Sequence, residues 1–192
     1  MPHSLLPVID ARRAYRAISD QPIERKVLET LAKAAHWAPS CANNQPWRLV
    51  IVDEPEPLSV VKDAFTGGNY WAKQSPAIVL FASHIDLDCT VPDGREYFLF
   101  GCGMAAMNLM LQATEMGLIA HPIAGYRSSP IKEALGIPQD HTLIALVVLG
   151  YPSKDTRKLT DKHQAEETSP RVRRPLQELL FWNAWPDQAS HD

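Results

Sequence analysis

Ala77-Ile78-Val79-Leu80-Phe81-Ala82 is an unbroken run of six apolar residues, the length and composition of a buried central strand. Residues 143–149, Leu-Ile-Ala-Leu-Val-Val-Leu, form its Val-rich counterpart, bounded by Gly150 and Pro152. Between them, from about residue 96 to 116, lies a proline-free stretch rich in Ala, Met and Leu that contains Gly101, Gly103, Ala105 and Ala106. It reads as a buried helix whose small residues let another backbone approach closely, with Gly117 placed to end it. Toward the N-terminus, Ile23, Val27, Leu28, Leu31 and Ala35 have helical spacing. That helix is expected to begin near Pro22 and end before Ala38-Pro39. Residues 47–52 then read as a strand and 58–65 as a short helix. Ser129-Pro130 opens a further helix over 131–135, closed by Gly136 and Pro138.

Composition bounds what such a chain does. At 192 residues, 45% apolar and 21% charged, it reads as an ordinary globular protein of one domain or at most two small ones, with enough apolar surface to offset its ordering entropy. Nineteen Lys and Arg against 22 Asp and Glu give a formal charge of −3, which offers no general attraction to nucleic acid or an anionic membrane. The apolar runs are too short to span a bilayer. Cys41, Cys89 and Cys102 are odd in number, widely spaced and without a C-x-x-C pair, so neither a disulfide scaffold nor a zinc ribbon is expected. The first seven residues lack a basic segment and carry two prolines, unlike a secretion signal. A reduced, cytoplasmic setting is the expectation.

After Tyr151 the character changes. Residues 152–175 are polar, with three prolines and no apolar period, and are followed by Leu176, Leu179, Leu180, Phe181, Trp182 and Trp185. An apolar tail on a polar arm must bury itself on a partner subunit or on its own core.

Three segments could carry chemistry. Arg12-Arg13-Ala14-Tyr15-Arg16 places three arginines in five residues, either a solvated face or a phosphate site, since guanidinium forks match phosphate oxygens. Ala38-Pro39-Ser40-Cys41-Ala42-Asn43-Asn44-Gln45-Pro46-Trp47 crowds amide and hydroxyl groups between two prolines. It is an ordinary turn, or a set of donors and acceptors for the edge of a heteroaromatic ring. In His121-Pro122-Ile123-Ala124-Gly125-Tyr126, Gly125 would let the backbone approach a ligand closely.

In this order, these segments resemble the nitroreductase family of FMN-dependent NAD(P)H oxidoreductases. The resemblance runs over nearly the whole chain. It takes in the opening Arg12 to Arg16, the A-P-S-x-x-N-x-Q-P-W loop at 38–47, Gly68-Asn69-Tyr70-Trp71-Ala72, and Gly103, Asn108 and Leu111 on the long helix. Pro122 to Tyr126, L-G-I-P at 135–138, L-G-Y-P at 149–152 and the basic Arg171-Val172-Arg173-Arg174 follow in family order.

The resemblance implies an α+β fold: a central, mostly antiparallel sheet between helices, as a single domain over residues 1–192. It also implies an intertwined two-fold homodimer with FMN at the interface and residues 152–192 as an arm embracing the partner. Arg12, Arg13 and Arg16 would hold the FMN phosphate and ribityl chain, with Arg171 and Arg173 completing the site. Ala14 stands where the family usually has serine, so one side-chain hydrogen bond is expected to be missing. Pro39, Ser40, Cys41 and Asn43 look like contacts to the flavin from the other subunit. Asn69 resembles the asparagine at the pyrimidine edge of the ring, and the backbone N–H groups of Ala124 and Gly125 match the turn against flavin N5. Trp71 is expected at the substrate pocket. No catalytic acid or base is implied. Hydride from NADH or NADPH would pass to the flavin and on to an oxidised small-molecule acceptor, nitroaromatic or quinone-like, by a ping-pong cycle. No G-x-G-x-x-G motif is present to read the nicotinamide preference from.

Other readings compete. A flavin carrier or sensor would bind without turnover, and reductive dehalogenation or flavin breakdown would use the same cofactor. His84, Asp86, Asp88 and Cys89 alternate as metal ligands would on one side of an extended segment, but no second ligand cluster accompanies them and no metal is expected. Cys41 and His36 could suggest a thiol nucleophile, yet no third orienting group is evident. Trp37, Trp47 and Trp71 read more readily as core than as a stacking platform.

Overall fold

The computed structural model describes residues 4–185. Four strands, β1 (Arg48–Val52), β2 (Ala77–Ser83), β3 (Ile119–Ile123) and β4 (Thr142–Gly150), form one sheet in the order β1-β2-β4-β3, every neighbouring pair antiparallel. Among the described residues six α-helices accompany it: α1 (Pro7–Ala11), α2 (Arg25–His36), α3 (Pro55–Asp63), α4 (Phe98–Glu115), α5 (Ser128–Leu135) and α6 (Asp161–Thr168). This is the expected α+β architecture.

All seven residues of β2 are buried, because the sheet is covered on both faces. Ile78, Leu80, Leu146 and Val148 meet Leu58 and Val61 of α3 and Ile131 of α5. Val79, Phe81, Val147 and Leu149 meet Leu28 and Leu31 of α2 and Leu109 and Ala113 of α4. Each fully buried Leu, Ile, Val or Phe contributes about 1.5–3 kcal/mol, so the two strands read from the sequence also carry most of the core. The helix predicted over 96–116 is α4, and Gly117, at φ 75°, ends it as expected. α2 begins at Arg25 rather than near Pro22, because Glu24 is still extended (ψ 139°) and Ile23 is already buried in the core.

The first half of the segment over 152–192, expected as an arm on the partner, also makes contacts with its own chain. Ser153 N–H donates to the Ala17 carbonyl, Lys158 Nζ to Gln74 Oε1 and Thr160 N–H to the Tyr70 hydroxyl, while Leu159 is buried. Thr160 caps α6 by accepting from His163 N–H. α6 buries no residue, so it left no apolar period to read. Beyond it, Leu176, Leu179, Trp182 and Trp185 are exposed. Among the described residues no helix is long and apolar enough to cross a membrane.

Candidate functional site

The arginines at the two ends of the chain meet. Arg12, Arg13, Ala14 and Arg16, in the extended segment after α1, line a cavity of about 300 Å³ with Glu166, Ser169, Arg171 and Arg173. Five arginines face one carboxylate there. Burial, and then the charges of Arg171, Arg173 and Arg13, push the Arg12 guanidinium below its ordinary range. Among the described residues its guanidinium has no hydrogen-bond or ion-pair partner. A half-buried guanidinium crowded by other guanidiniums is a setting that suits an anion.

The five arginines are not equivalent. Arg16 pairs with Glu166 at 2.6 Å, and Glu167 accepts from the backbone N–H groups of Arg16 and Ala17. Arg13 donates to the Ser169 carbonyl and lies over the Tyr15 ring. Arg171 donates to the carbonyls of Asp10 and Arg12 at 2.7 and 2.6 Å, so it fastens the N-terminal segment to the C-terminal one. Arg12 and Arg173, whose one hydrogen bond is to the adjacent Val172 carbonyl, keep the most donor capacity. The roles of Glu166 and Glu167 were missed in the sequence, where nothing links them to residues about 150 positions away.

A second part of the site is the turn after β3. Asn69 Nδ2 donates to the Gly125 carbonyl at 2.8 Å, and the same carbonyl accepts Thr66 N–H at 2.9 Å. A Cβ on Gly125 would lie 2.6 Å from Asn69 Nδ2, so the close approach expected of this glycine is to Asn69. The N–H groups of Ala124 and Gly125 donate to no acceptor among the described residues. Ala124 is exposed and Gly125 half-buried, so two successive donors stay available to a ligand.

Trp71 lies elsewhere. It is only 3% exposed, in the core, with its ring 4.5 Å from that of His121. Its edge also lines a small cavity of about 180 Å³ with Arg16, Gln74, Ser153 and Lys158. His121 Nδ1–H donates to the Tyr15 carbonyl at 3.0 Å, and burial lowers its pKa to about 4.

The loop between α2 and β1 lines no part of the arginine cavity. Pro39 and Asn43 are exposed, and Ser40 Oγ accepts from Gln45 N–H. Ala42, Asn43 and Gln45 adopt φ of 47°, 59° and 51°, a left-handed conformation costing about 1–2 kcal/mol for an ordinary L-residue. The expectation of reduced cysteines is overturned here: Cys41 is disulfide-bonded to Cys89, and Cys102 is the free, buried thiol. Antiparallel pairing of β1 and β2 brings the two segments to the same end of the sheet. Arg48 is opposite Ala82, and each cysteine lies seven residues beyond that pair. The His84–Cys89 run does not present ligands on one side, because Ile85–Leu87 form a 3-10 turn, with His84 Nδ1 accepting from Asp86 N–H.

Comparison with known proteins bears on the family of the chain. A family model, "Nitroreductase family", matches residues 9–74 and 52–151. A protein of Archaeoglobus fulgidus named "Putative NADH dehydrogenase/NAD(P)H nitroreductase" is 34% identical over 158 residues, covering 78% of this chain and 86% of that one. The "NADH dehydrogenase" of Thermus thermophilus is 27% identical, covering 92% and 98%. A solved structure titled "The crystal structure of the oxidoreductase containing FMN" is 29% identical, with a TM-score of 0.84 over 97% of this chain and 95% of that one. The chain belongs to the nitroreductase family.

Proposed function

We propose that the chain is an FMN-dependent oxidoreductase. It takes hydride from NAD(P)H and delivers the electrons to an oxidised acceptor of the nitroaromatic or quinone class, the two substrates alternating on one flavin face. The observation that carries this reading is the arginine cavity. Segments about 160 residues apart converge on a site whose positive charge suits the roughly two negative charges of a phosphate monoester.

The other groups fit the rest of FMN. Arg12, Arg13 and Arg173 would bind the phosphate, while Arg171 and the Arg16–Glu166 pair hold the segments that carry them. Asn69 has its Nδ2 engaged by Gly125, which leaves Oδ1 as an acceptor for the pyrimidine edge of the ring. The N–H groups of Ala124 and Gly125 would donate to the N5 edge, stabilising negative charge there with dipoles fixed in advance. Bound FMN supplies the reversible two-electron chemistry. His121 is neutral near pH 7, and its one proton is held by the Tyr15 carbonyl, so protons come from water rather than from a dedicated acid.

A second copy of the chain completes the site. Pro39 and Asn43 are exposed and line no part of the chain's own arginine cavity, so they would meet the flavin of a partner. Leu99, Phe100 and Met107 of α4 and Trp37 beside α2 are exposed. Like Leu176 and Trp182 of the tail, they are exposed apolar side chains that such a dimer would cover.

The test is the visible spectrum of the purified protein before and after anaerobic NADPH and then NADH, with the released cofactor identified and the molar mass measured in solution. A yellow dimer that yields FMN, bleaches with a nicotinamide and recovers with an added quinone is expected. A colourless protein that takes up no FMN overturns the proposal. One that binds FMN but never bleaches is a carrier.

A further inference from the structure

The Cys41–Cys89 disulfide ties the amide-rich loop before β1 to the segment after β2. Both half-cystines are partly exposed, so a reductant can reach them. Cys102 takes no part: it is buried, and burial raises its pKa to about 11.

Two independent features weigh against the oxidised form. The first is the backbone. Three of the four residues after Cys41 are left-handed non-glycines; asparagine tolerates this, whereas alanine and glutamine do not. The disulfide is one of the ties that hold the loop in this shape, together with the Ser40 hydroxyl on Gln45 N–H and the Ser83 hydroxyl on the Pro46 carbonyl.

The second is Asp88, which is 9% exposed and whose Oδ2 has no hydrogen-bond partner. Its Oδ1 accepts from Cys89 N–H at 2.8 Å and from Asn44 Nδ2 at 3.5 Å. A carboxylate oxygen of Asp88 and both cysteine sulfurs lie within 4.8 Å of one another. A disulfide has no proton to offer this buried carboxylate, whereas a dithiol has two. Reduction would place two S–H donors beside this carboxylate and remove one tie on the loop.

We propose that Cys41 and Cys89 form a reversible thiol–disulfide site for dithiol reductants, and that its reduction remodels the loop over residues 39–46. A thiolate of the reductant attacks one sulfur of the pair, breaking the S–S bond and forming a mixed disulfide. The reductant's second thiol then displaces that cysteine. The reductant leaves as a disulfide, and two electrons and two protons remain on Cys41 and Cys89. Asp88 positions the reduced pair by accepting an S–H. Because the loop carries Pro39, Ser40 and Asn43, reduction also changes FMN affinity; this last clause rests on the functional reading above.

The experiment equilibrates the aerobically purified holoprotein with graded mixtures of reduced and oxidised dithiothreitol. Alkylation with mass spectrometry reads the thiols, amide exchange reads residues 38–47, and flavin fluorescence reads bound FMN. Cys41 and Cys89 should become alkylated together in one two-electron transition, with Cys102 untouched. Protection of the loop should fall about tenfold on reduction, and FMN affinity should change at least threefold. Cys89→Ser should show the released loop at every setting and no response to the reductant. Asp88→Asn should make reduction about tenfold less favourable, roughly 30 mV.

Free thiols at Cys41 and Cys89 in the purified protein, a stoichiometric metal bound to them, or a loop whose exchange ignores reduction would each overturn the proposal. FMN bound equally by both forms would overturn the coupling clause. If neither form binds FMN, the flavin reading fails, and alkylation with loop exchange still decides the thiol site.

Discussion

Gly125→Ala isolates the contact on which the turn after β3 depends. The new Cβ would lie 2.6 Å from Asn69 Nδ2 and 3.1 Å from Thr66 Oγ1, where ordinary contact begins at 3.4 Å. The Asn69 amide must retreat by about 0.8 Å, the difference between 3.4 and 2.6 Å. Its 2.8 Å bond to the Gly125 carbonyl then stretches beyond hydrogen-bonding range. Losing that bond costs about 1 kcal/mol, and overpacking adds roughly 1–2 kcal/mol. Gly125 does not have a left-handed φ, so backbone strain contributes nothing and the whole effect is the Cβ contact. Urea unfolding of the apoprotein should therefore show a loss of about 2–3 kcal/mol.

Asn69→Ala removes the obstacle as well as the bond, while Thr66 N–H still serves the Gly125 carbonyl at 2.9 Å; it should cost about 1 kcal/mol alone. The double variant should be more stable than the sum of the two losses implies, by about 1–2 kcal/mol. FMN affinity should fall about tenfold in Gly125→Ala, the equivalent of one hydrogen bond of roughly 1.4 kcal/mol. Additive losses in the double variant, or a Gly125→Ala protein within 0.5 kcal/mol of the parent, would refute the reasoning.

Other parts of the site answer to separate measurements. Arg12→Gln removes a cation that burial and three neighbouring arginines already disfavour. The apoprotein should keep or slightly raise its melting temperature, while calorimetry finds FMN and inorganic phosphate bound about 10–100-fold more weakly. Arg171→Ala frees the carbonyls of Asp10 and Arg12. Amide exchange over residues 7–16 should accelerate about tenfold, and Arg171→Lys should not restore it, because an ammonium lacks the spread of a guanidinium fork. His121 has its pKa lowered to about 4 from 6.5, so between those values the unfolded chain binds the extra proton. Stability should be full above pH 6.5 and fall toward pH 4, by at most about 3 kcal/mol from this group. Urea unfolding of His121→Gln should show a correspondingly shallower decline.

Legibility followed burial. β2, β4 and α4 were readable because each is buried enough to impose its own pattern, and α5 because Gly136, at φ 66°, closes it. α1 and α6 bury nothing and left no period. β3 carries Pro122 on an edge of the sheet, where a missing N–H is tolerated and the strand signal is weak. The arginine cavity was half legible. Each cluster alone reads as a solvated face, and only family order linked Arg12 to Arg171; the Glu166 and Glu167 contacts that hold Arg16 had no local signature.

The cysteines show why the remainder was out of reach and how it could have been reached. Counting them is an argument about compartments, whereas pairing follows from geometry. Once β1 and β2 are taken as antiparallel neighbours with Arg48 opposite Ala82, every opposed pair is equidistant from that point. Cys41 and Cys89 satisfy the same relation seven residues further out. Ser83 Oγ, bonded to the Pro46 carbonyl, keeps the two chains together beyond the last ladder pair. The register that buries Val79 and Phe81 against α2 and α4 on one face, and Ile78 and Leu80 against α3 and α5 on the other, cannot slip by one residue without reversing both. That register puts the ends of both segments at one edge of the sheet, and the irregular turns at 41–45 and 85–87 then bring Cys41 and Cys89 together.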